Sequence, residues 1–386
     1  MAKSQYEQLG VDVKKKGIEK FTAVDKELYP NAFCKMYETG NRIVCQHMDG
    51  VGSKSVQRYL HFKETDDYSV FEGDAQDCLE MNLGDILCCG LNPTEFTDYL
   101  AINGKVVPKE NYIQALNKGF EKSLTLLRKY GVNFIFCGGE TADLPDQERT
   151  YDFAGTIRAE AKKRDVITGN KIVPGDAIIG IRSGGKANFE EKINSGIMSN
   201  GLTLARHALM HRSYDRKYPE THDPSNKNYG RFMTTDSTKE LGTTVGEAIM
   251  SPTRHFSIII KSLVDKFGTD LHGIVMNTGG GQTKCKRIGR RILYNLYNLP
   301  TPDPIFRLIQ SESGEKWENM YKTFNMGIGV SLMVPKDIET EVIKYVNDNF
   351  MKCGAMMIGA TEKSTDKNGK NIVHVVSENG TFDYSA

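Results

Sequence analysis

Residues 111–140, "NYIQALNKGFEKSLTLLRKYGVNFIFCGGE", decide the fold class of this chain. Apolar residues recur at helical spacing over residues 113–127, and Gly131 follows as a stop signal, so this part predicts an amphipathic helix. The run "VNFIFCGG" then predicts a buried strand. Because short apolar runs and helical patterns alternate in the same way elsewhere, the sequence predicts a mixed α/β fold.

The length of 386 residues suits two domains of about 150 to 200 residues each. A charged stretch, "AEAKKRDVITGNKIVPGD", separates the first α/β unit from the apolar run "AIIGIRSGG", which starts a second one. We therefore predict domains at residues 1–163 and 164–386. Residues 211–235 are polar and turn-rich, which predicts a long surface excursion.

The charges nearly balance, with 50 Lys and Arg against 49 Asp and Glu, so nothing in the net charge favours nucleic acid or an anionic membrane. No uncharged apolar run approaches ~18 residues, so no membrane span is expected. The eight cysteines form no CxxC pair and show no metal-type Cys/His spacing. They predict buried thiols in a cytoplasmic protein.

The segment "MDGVGSK", residues 48–54, follows an apolar run. Gly50 and Gly52 would allow a phosphate to approach the backbone closely, Asp49 could hold Mg²⁺, and Lys54 could contact phosphate oxygens. The spacing is not that of a Walker A loop. A plain strand-to-helix turn is the alternative interpretation.

Three acids, Asp74, Asp77 and Asp85, surround the helical pattern "CLEMNLG". Asp77 and Asp85 are eight residues apart, so a continuous helix would project them from similar sides. They could join Asp49 at a metal. The alternative is that Asp74 or Asp77 caps the helix and Asp85 is solvated.

Three glycine-containing segments could line a ligand site. In "FIFCGGETADLP", a strand would deliver Gly138, Gly139, Glu140 and Thr141 to a loop, where ligands of α/β sheets commonly bind. "SGIMSNG", residues 195–201, could open a helix with anion-binding amides, or Ser199 or Asn200 could simply cap it. "NTGGGQTK", residues 277–284, has three adjacent glycines, which make a plain linker improbable on entropic grounds.

In order along the chain, these segments resemble one family, the phosphoribosylformylglycinamidine cyclo-ligases, or aminoimidazole ribonucleotide synthetases. The resemblance rests on "YEQLGVDV", "DGVGSK", "DCLEMNLGD", "NPTEFTDYLA", "GGETADLP", "YDFAGTI", "SNGLTLAR", "GEAIMSPTR", "NTGGGQ", "PIFRLIQ" and "TFNMGIG". It implies an N-terminal α/β domain that closes a β-barrel with its twin across a homodimer, and a C-terminal α/β domain alongside.

The resemblance also implies ATP- and Mg²⁺-dependent closure of formylglycinamidine ribonucleotide to 5-aminoimidazole ribonucleotide. It assigns Asp49, Asp77 and Asp85 to the metal, and Asp49, Lys54 and Asp85 to catalysis. The ATP contacts it implies are Asp49, Gly50, Gly52, Ser53, Lys54, Asp77, Gly139, Glu140 and Thr141. The substrate contacts it implies are Asp98, Ser199, Asn200, Gly201, Gly279, Gly280 and Gly281.

The chain departs from the family pattern at several places. Met198 stands where the family has a histidine, Gly84 stands where it has Asn, and a second histidine before the triple glycine is missing. The family's glycine-rich segment upstream of the acidic loop is replaced by "ELYPNAFCKMYETG", and "QTKCKRIGRR" follows the triple glycine. No general base can be assigned from the family.

Two alternatives remain open at this point. The first is another ATP-using enzyme of the superfamily, such as a selenophosphate synthetase, a thiamine-monophosphate kinase or a hydrogenase-maturation protein. The second is a non-catalytic nucleotide-binding paralogue. "PIFRLIQ" and "TFNMGIG" favour the cyclo-ligase over the first, and the clustered charge of Asp49, Lys54, Asp85 and Glu140 argues against the second.

Overall fold

The computed structural model describes residues 3–11 and 27–385. The motif "YEQLGVDV" begins inside these ranges, but its last two residues lie outside the described residues. In the described N-terminal half, the strands are β1 (Tyr37–Thr39), β2 (Arg42–Gly50), β3 (Asn92–Ile102), β4 (Ile135–Asp143) and β5 (Tyr151–Ala161). The helices are α1 (Gln5–Gln8), α2 (Lys54–Thr65), α3 (Glu72–Leu87) and α4 (Lys109–Lys129), with 3₁₀ turns at Tyr68–Phe71 and Lys163–Asp165.

The C-terminal half continues with nine described strands and seven described α-helices. The strands are β6 (Ala177–Arg182), β7 (Gly184–Gly185), β8 (Asn194–Ser195), β9 (Gly273–Met276), β10 (Ile292–Leu296), β11 (Ile328–Val334), β12 (Ala355–Lys363), β13 (Ile372–Ser377) and β14 (Gly380–Ser385). The helices are α5 (Leu202–Leu209), α6 (Tyr214–Lys217), α7 (Val245–Met250), α8 (Phe256–Phe267), α9 (Pro304–Ser313), α10 (Trp317–Thr323) and α11 (Glu339–Asn349). The 3₁₀ turns of this half are Pro219–Thr221, Gly268–Asp270 and Gly281–Arg287.

A five-stranded sheet in the order β1-β2-β5-β3-β4 forms the N-terminal half. Its neighbours are antiparallel except β3 and β4, which are parallel. Helices α3 and α4 pack against each other, and α3 also contacts β2, β3 and β5. The apolar side chains of α3, such as Leu79, Leu83 and Ile86, are fully buried there because they recur at helical spacing.

A seven-stranded sheet in the order β14-β13-β10-β12-β6-β11-β9 forms the C-terminal half. Its neighbours are antiparallel except β10 and β13. Every residue of β11 is buried, as expected for a strand covered on both faces. The predicted mixed α/β fold is therefore confirmed, and the predicted boundary at residues 163 and 164 lies in the segment that joins the two sheets.

Three helix predictions from the sequence are confirmed: a helix over residues 113–127, a helix over residues 243–268 that is broken or restarted at Pro252, and a helix within residues 337–354. The amphipathic pattern over residues 113–127 lies in α4, which buries Tyr112, Leu116, Phe120 and Leu127. The pattern around Pro252 is broken there, with α7 ending before the proline and α8 beginning after it. The pattern in residues 337–354 contains helix α11.

The prediction that "VNFIFCGG" is a buried strand is wrong. β4 is an edge strand of the five-stranded sheet, and Ile135 and Phe136 are 66% and 37% exposed. Moreover, "GGETAD" lies within β4 rather than in a loop after it. An apolar run is compatible with either a central or an edge strand, so composition alone could not distinguish them.

The prediction that residues 211–235 form a long surface excursion does not hold for the whole segment. Tyr214, Thr221 and Thr234 are buried. The Tyr218 hydroxyl donates to the carbonyl of Lys63 at 3.1 Å, and the Gln57 amide donates to the Thr234 hydroxyl at 3.1 Å. The segment therefore packs against α2 through hydrogen bonds that its polar composition supplies.

Candidate active site

The segment "MDGVGSK" spans the turn between β2 and α2, since β2 ends at Gly50 and α2 begins at Lys54. Gly52 has φ +60°, a left-handed conformation that favours glycine. A Cβ at Gly52 would lie 3.6 Å from the carbonyl oxygen of Ser199, and the Ser53 hydroxyl lies 3.0 Å from that of Thr203. The turn therefore meets the "SNG" segment of the C-terminal half.

Asp77 lies at the centre of a buried ionic cluster between the two halves. Its Oδ1 accepts hydrogen bonds from Lys54 Nζ at 2.9 Å, from the Ser199 hydroxyl at 2.9 Å, and from both the backbone N–H and the hydroxyl of Thr253 at 2.7 Å. Its Oδ2 accepts from Arg58. Both carboxylate oxygens are thus occupied by protein donors.

The charges in this cluster shift the ionisation of its members. Burial alone would raise the pKa of Asp77, but Lys54 and Arg58 outweigh it and hold that pKa well below its usual range. Burial lowers the pKa of Lys54 to about 8, although Asp77 opposes the shift. Lys54 Nζ also donates to the carbonyl of Ser251 at 2.8 Å, so in this structure it is turned inward.

Asp74 completes the cluster on its far side. It accepts from Arg58 and from the hydroxyls of Tyr151 at 2.7 Å and Tyr112 at 3.3 Å. It is fully buried within the first turn of α3, so the alternative that it caps the helix is wrong. Through these hydrogen bonds its carboxylate links α3 to α2, α4 and β5.

Asp85 lies about two turns beyond Asp77 on α3, in a different environment. Its Oδ2 is 3.7 Å from His47 Nε2 and 3.7 Å from Lys284 Nζ, while its buried Oδ1 has no hydrogen-bond partner in the described part of the chain. The alternative that Asp85 is solvated is wrong, because the residue is only 8% exposed. An unpartnered buried carboxylate oxygen is costly unless a ligand completes it.

Asp49 approaches Asp85 from strand β2, and Asn82 of α3 fixes its position. The backbone N–H of Asp49 donates to Asn82 Oδ1 at 3.1 Å, and Asn82 Nδ2 donates to the Asp49 carbonyl at 3.0 Å. Burial, followed by the charge of Asp85, raises the pKa of Asp49. Two carboxylates that repel each other in a partly buried site favour a bound cation.

The triple glycine approaches the same place from the C-terminal half. Lys284, in the 3₁₀ turn that starts at Gly281, reaches Asp85 and bonds the hydroxyl of Thr278. Gly201 and Gly281 both have positive φ, and a Cβ on either would overlap Phe324. Their lack of a side chain is therefore required by packing.

Asn200 is a polar side chain beside the triple glycine. Its Oδ1 would lie 3.1 Å from a Cβ at Gly279, and its buried Nδ2 has no hydrogen-bond partner within residues 3–11 and 27–385. Neither Asn200 nor Ser199 caps α5, since Gly201 occupies the cap position and no side chain bonds there. Asn200 therefore has a donor left for a ligand, whereas Ser199 is bonded to Asp77.

Asp98, Gly139, Glu140 and Thr141 lie elsewhere on the five-stranded sheet. Asp49 and Asp98 are both opposite Gly155, so they are two strands, or roughly 10 Å, apart. Gly139 is opposite Asp98, and a Cβ there would overlap its carboxylate. Glu140 and Thr141 are exposed on β4. Burial raises the pKa of Asp98 to about 6.

One departure from the family pattern, Gly84, acquires a structural explanation, and the structure places a second one, Met198, in the core. A Cβ at Gly84 would overlap the sulfur of Met276, which is fully buried just before the triple glycine. Glycine at this point of α3 therefore accommodates methionine in β9. Met198 is buried with φ +57°, so this position is left-handed although it is not glycine.

Several site residues were missed by sequence analysis. Arg58 lies one helical turn after Lys54, a spacing that could have suggested a shared partner. Asn82, which holds Asp49, lies between the two acids of α3 and carried no separate signal. Thr253 follows the helix-breaking Pro252, and its bond to Asp77 joins residues 176 positions apart, which no local pattern reveals.

Comparison with known proteins agrees with this geometry. Residues 32–160 match the family described as "AIR synthase related protein, N-terminal domain". A "Phosphoribosylformylglycinamidine cyclo-ligase" of Methanococcus vannielii is 32% identical over 86% of this chain and 82% of its own length. One of Methanocaldococcus jannaschii is 32% identical over 87% and 83%. The chain belongs to the phosphoribosylformylglycinamidine cyclo-ligase family.

The resemblance inferred from the motifs is thereby confirmed, and the chain is a divergent member of this cyclo-ligase family. Solved structures support the fold alone. Thiamine monophosphate kinase of Aquifex aeolicus has a TM-score of 0.52 at 12% identity, over 95% of this chain and 96% of its own. HypE, in a complex with HypF, has a TM-score of 0.57 at 12% identity, over 95% and 97%.

The structure also bears on the membrane prediction. Within residues 3–11 and 27–385, no helix combines the length with the apolar composition that crossing a bilayer requires.

Proposed function

We propose that this chain converts formylglycinamidine ribonucleotide to 5-aminoimidazole ribonucleotide, with ATP giving ADP and phosphate, in purine biosynthesis. The observation that carries the proposal is the pair of carboxylates Asp49 and Asp85. Among the described residues, the buried Oδ1 of Asp85 has no hydrogen-bond partner, and Lys284 of the triple-glycine turn lies beside this carboxylate. Similarity to cyclo-ligases over most of the chain supports the choice of reaction.

The residues at the pair suit Mg²⁺, which prefers carboxylate oxygens and phosphate as ligands. Asp49 and Asp85 would hold it, and when bound it would neutralise charge on the transferring phosphoryl group. Asp77, which the family resemblance assigns to the metal, has both oxygens bonded to protein donors. We therefore propose that Asp77 and Lys54 position the turn around Gly50 and Gly52 for ATP.

In the proposed reaction, the amide oxygen takes the terminal phosphoryl group of ATP, a neighbouring nitrogen attacks the activated carbon, and phosphate leaves as the C–O bond breaks. Such chemistry requires charge neutralisation and positioning rather than a protein nucleophile. Lys284, buried beside Asp85, would offset developing phosphate charge, and Asn200 Nδ2 would donate to the substrate. The described residues nearest the pair that could accept a proton include His47.

The remaining assignments are proposed on the same basis. Ser53 would contact ATP from the turn before α2, and Ser199, Gly201, Gly279, Gly280 and Gly281 would shape the substrate wall. Asp98 and Gly139 lie together on the sheet, and Glu140 and Thr141 are exposed on the edge strand. Because they lie away from the Asp49 and Asp85 pair, they would meet nucleotide or substrate only at the far end of the cleft or with the help of a second subunit.

A homodimer is part of the proposal. Among the described residues, one edge of strand β4 is unpaired, and large apolar side chains are exposed on this sheet: Met48 at 64% and Ile135 at 66%. An exposed apolar edge strand is a liability unless a partner covers it. Sedimentation should show a dimer, and Ile135→Lys should shift it towards monomer, whereas the same change at exposed Val173 should not.

The reaction would take place in a reducing compartment, and we place it in the cytoplasm. All eight cysteines are free thiols, and six of them are buried. Intracellular proteins keep thiols in this state.

The direct test supplies purified protein with formylglycinamidine ribonucleotide, Mg²⁺ and ATP, and measures aminoimidazole ribonucleotide together with ADP. We expect one ADP for each product molecule. A folded sample that forms no product would contradict the proposal. Phosphorylation of thiamine monophosphate instead would indicate another enzyme of the superfamily, and nucleotide binding without turnover would indicate a non-catalytic paralogue.

A further inference from the structure

A cluster of three potential metal ligands lies beside the acid pair and includes a residue that the proposed reaction does not use. One ligand-type atom from each of Cys34, His47 and Asp85 lies within 4.8 Å of the other two. Cys34 and Asp85 are buried, and His47 is partly buried. Sequence spacing gave no sign of it, because the three residues come from the segment before β1, from β2 and from α3.

The hydrogen bonds hold the thiol in place. Cys34 Sγ donates to the backbone carbonyl of Asp85 at 3.1 Å, and the Cys34 N–H donates to Cys89 Sγ at 3.2 Å. The thiol is therefore fixed against the last turns of α3. It belongs to "ELYPNAFCKMYETG", the segment in which this chain departs from its family pattern.

Two of the three residues also have an atom that could bind a metal and that makes no hydrogen bond to the described residues. His47 Nε2 and Asp85 Oδ1 are both buried and without a hydrogen-bond partner among the described residues. Asp85 is 8% exposed, so water reaches it poorly. Unpartnered buried groups of this kind are costly unless a bound ion, another ligand or ordered water compensates their desolvation.

We propose that Cys34, His47 and Asp85 form a binding site for a thiophilic divalent cation of the Zn²⁺ type. Thiolate, imidazole and carboxylate together are a ligand set that suits Zn²⁺, whereas Mg²⁺ takes oxygen ligands. Metal–ligand bonds of about 2.0–2.3 Å place tetrahedral ligand atoms about 3.3–3.8 Å apart, so ligand atoms that lie within 4.8 Å of one another need to approach by at most about 1.5 Å. A fourth position is left for water.

Lys284 is a positive charge beside the cluster that opposes a cation. Its Nζ is 3.7 Å from Asp85 Oδ2, and it also bonds Thr278 and lies 4.6 Å from the centre of the Phe33 ring. Both Lys284 Nζ and His47 Nε2 approach the same carboxylate oxygen, Oδ2, at 3.7 Å, so the lysine opposes a cation there, whereas Oδ1 has no hydrogen-bond partner among the described residues. Since Asp85 also belongs to the proposed Mg²⁺ pair, the two cations would use one carboxylate, and the test is made without Mg²⁺ or nucleotide.

The experiment titrates the full-length, chelator-treated protein with Co²⁺ under a non-thiol reductant, and records the thiolate-to-cobalt charge-transfer band. We expect one equivalent to bind and Zn²⁺ to displace it. Cys34→Ser should abolish the band, and His47→Ala should weaken Co²⁺ binding at least about 10-fold. The matched control is Cys353→Ser, a change at an exposed cysteine, which should leave the titration unaltered.

The absence of a band in the wild type, or a band of full strength in Cys34→Ser, would overturn the site. If Cys34→Ser does not fold, His47→Ala decides, and wild-type affinity in that variant would overturn it. Because the titration measures metal alone, its outcome is independent of whether the cyclo-ligase reaction is observed.

Discussion

Asp77 and Asp85 are two carboxylates on the same helix, α3, and they have opposite environments. Asp77 accepts hydrogen bonds from Lys54, Arg58, Ser199 and Thr253, so both of its oxygens are occupied. Asp85 has charged neighbours at 3.7 Å, His47 and Lys284, but no side-chain hydrogen bond from the described residues, and its buried Oδ1 has no partner among them. Residue type and helical face therefore do not decide the role of an acid.

The difference lies in what the other half of the molecule supplies at each position. Near Asp77, the "SNG" segment and the turn after Pro252 bring hydroxyl and N–H donors. Near Asp85, the C-terminal half brings the triple-glycine turn, which has no side chains, and a single lysine. A carboxylate saturated by protein donors joins the two halves, and an unsaturated one can bind a ligand.

The largest effect should come from Asp77→Asn, which tests whether the carboxylate of Asp77 stabilises the fold. It would leave Lys54 and Arg58 buried beside a neutral side chain, and removing one partner of a buried ionic cluster costs about 3–5 kcal/mol. Urea denaturation should show this loss in the free energy of unfolding. The control Asp152→Asn, at an exposed position on β5, should change it by less than about 0.5 kcal/mol.

The same variant gives a pH test. Because Lys54 and Arg58 outweigh burial and hold the pKa of Asp77 below its usual range, the stabilisation is present above about pH 4, the unfolded value, and is lost as pH falls towards the folded value. The stability difference between wild type and Asp77→Asn should therefore narrow below about pH 4. A difference that stays constant down to pH 2 would contradict this account.

Asp49→Asn tests whether the Asp49 and Asp85 pair serves turnover rather than stability. We expect turnover to fall at least about 100-fold, because a ligand of the proposed metal is lost. Stability should change little or rise slightly, since burial and Asp85 already raise the pKa of Asp49 and disfavour its charge. Parallel measurement of turnover and thermal unfolding checks this. Substantial unfolding with residual activity would instead favour a purely structural turn.

A smaller effect is expected at Gly84, the residue directly before Asp85 on α3. A Cβ there would overlap buried Met276, so Gly84→Ala should destabilise the protein by about 1–2 kcal/mol despite the better helix propensity of alanine. A double-mutant cycle with Met276→Ala should show favourable coupling of at least about 1 kcal/mol. Additive effects would mean that the two residues are not in conflict.

The smallest effect is expected at Asp98, the acid two strands from Asp49. Its folded pKa of about 6 is above the ordinary value, so its contribution to stability becomes unfavourable as pH rises through about 4 to 6. Asp98→Asn should therefore stabilise the protein at pH 7 by about 1 kcal/mol or less, given partial exposure. That gain should vanish near pH 4, which denaturation at both pH values would reveal.

Much of this arrangement could be predicted from local pattern. The spacing of apolar residues indicated α4, and the acids at positions 77 and 85 do lie on one continuous helix, as their separation suggested. The order of the motifs indicated the family, because each glycine or acid of the family pattern occurs within a short motif that the sequence displays directly. These features are local, so the chain itself displays them.

What could not be predicted depends on contacts between distant segments. Thr253 and Ser199 satisfy Asp77 from the other half of the molecule, and Cys34 meets His47 and Asp85 without any regular spacing. The exposure of β4 depends on the order of strands in the sheet, since an apolar run can form either a central or an edge strand. Only the packed structure distinguishes saturated acids from available ones.

The central claim is that Asp85 is the available acid of α3, and one measurement tests it most directly. The unfolding temperature of wild type and Asp85→Asn is measured with and without Mg²⁺ and a non-hydrolysable ATP analogue. We predict equal baselines, an increase on ligand addition in the wild type, and no such increase in the variant, because a ligand stabilises only the state that binds it. A lowered baseline in Asp85→Asn together with a full ligand-induced increase would contradict the claim.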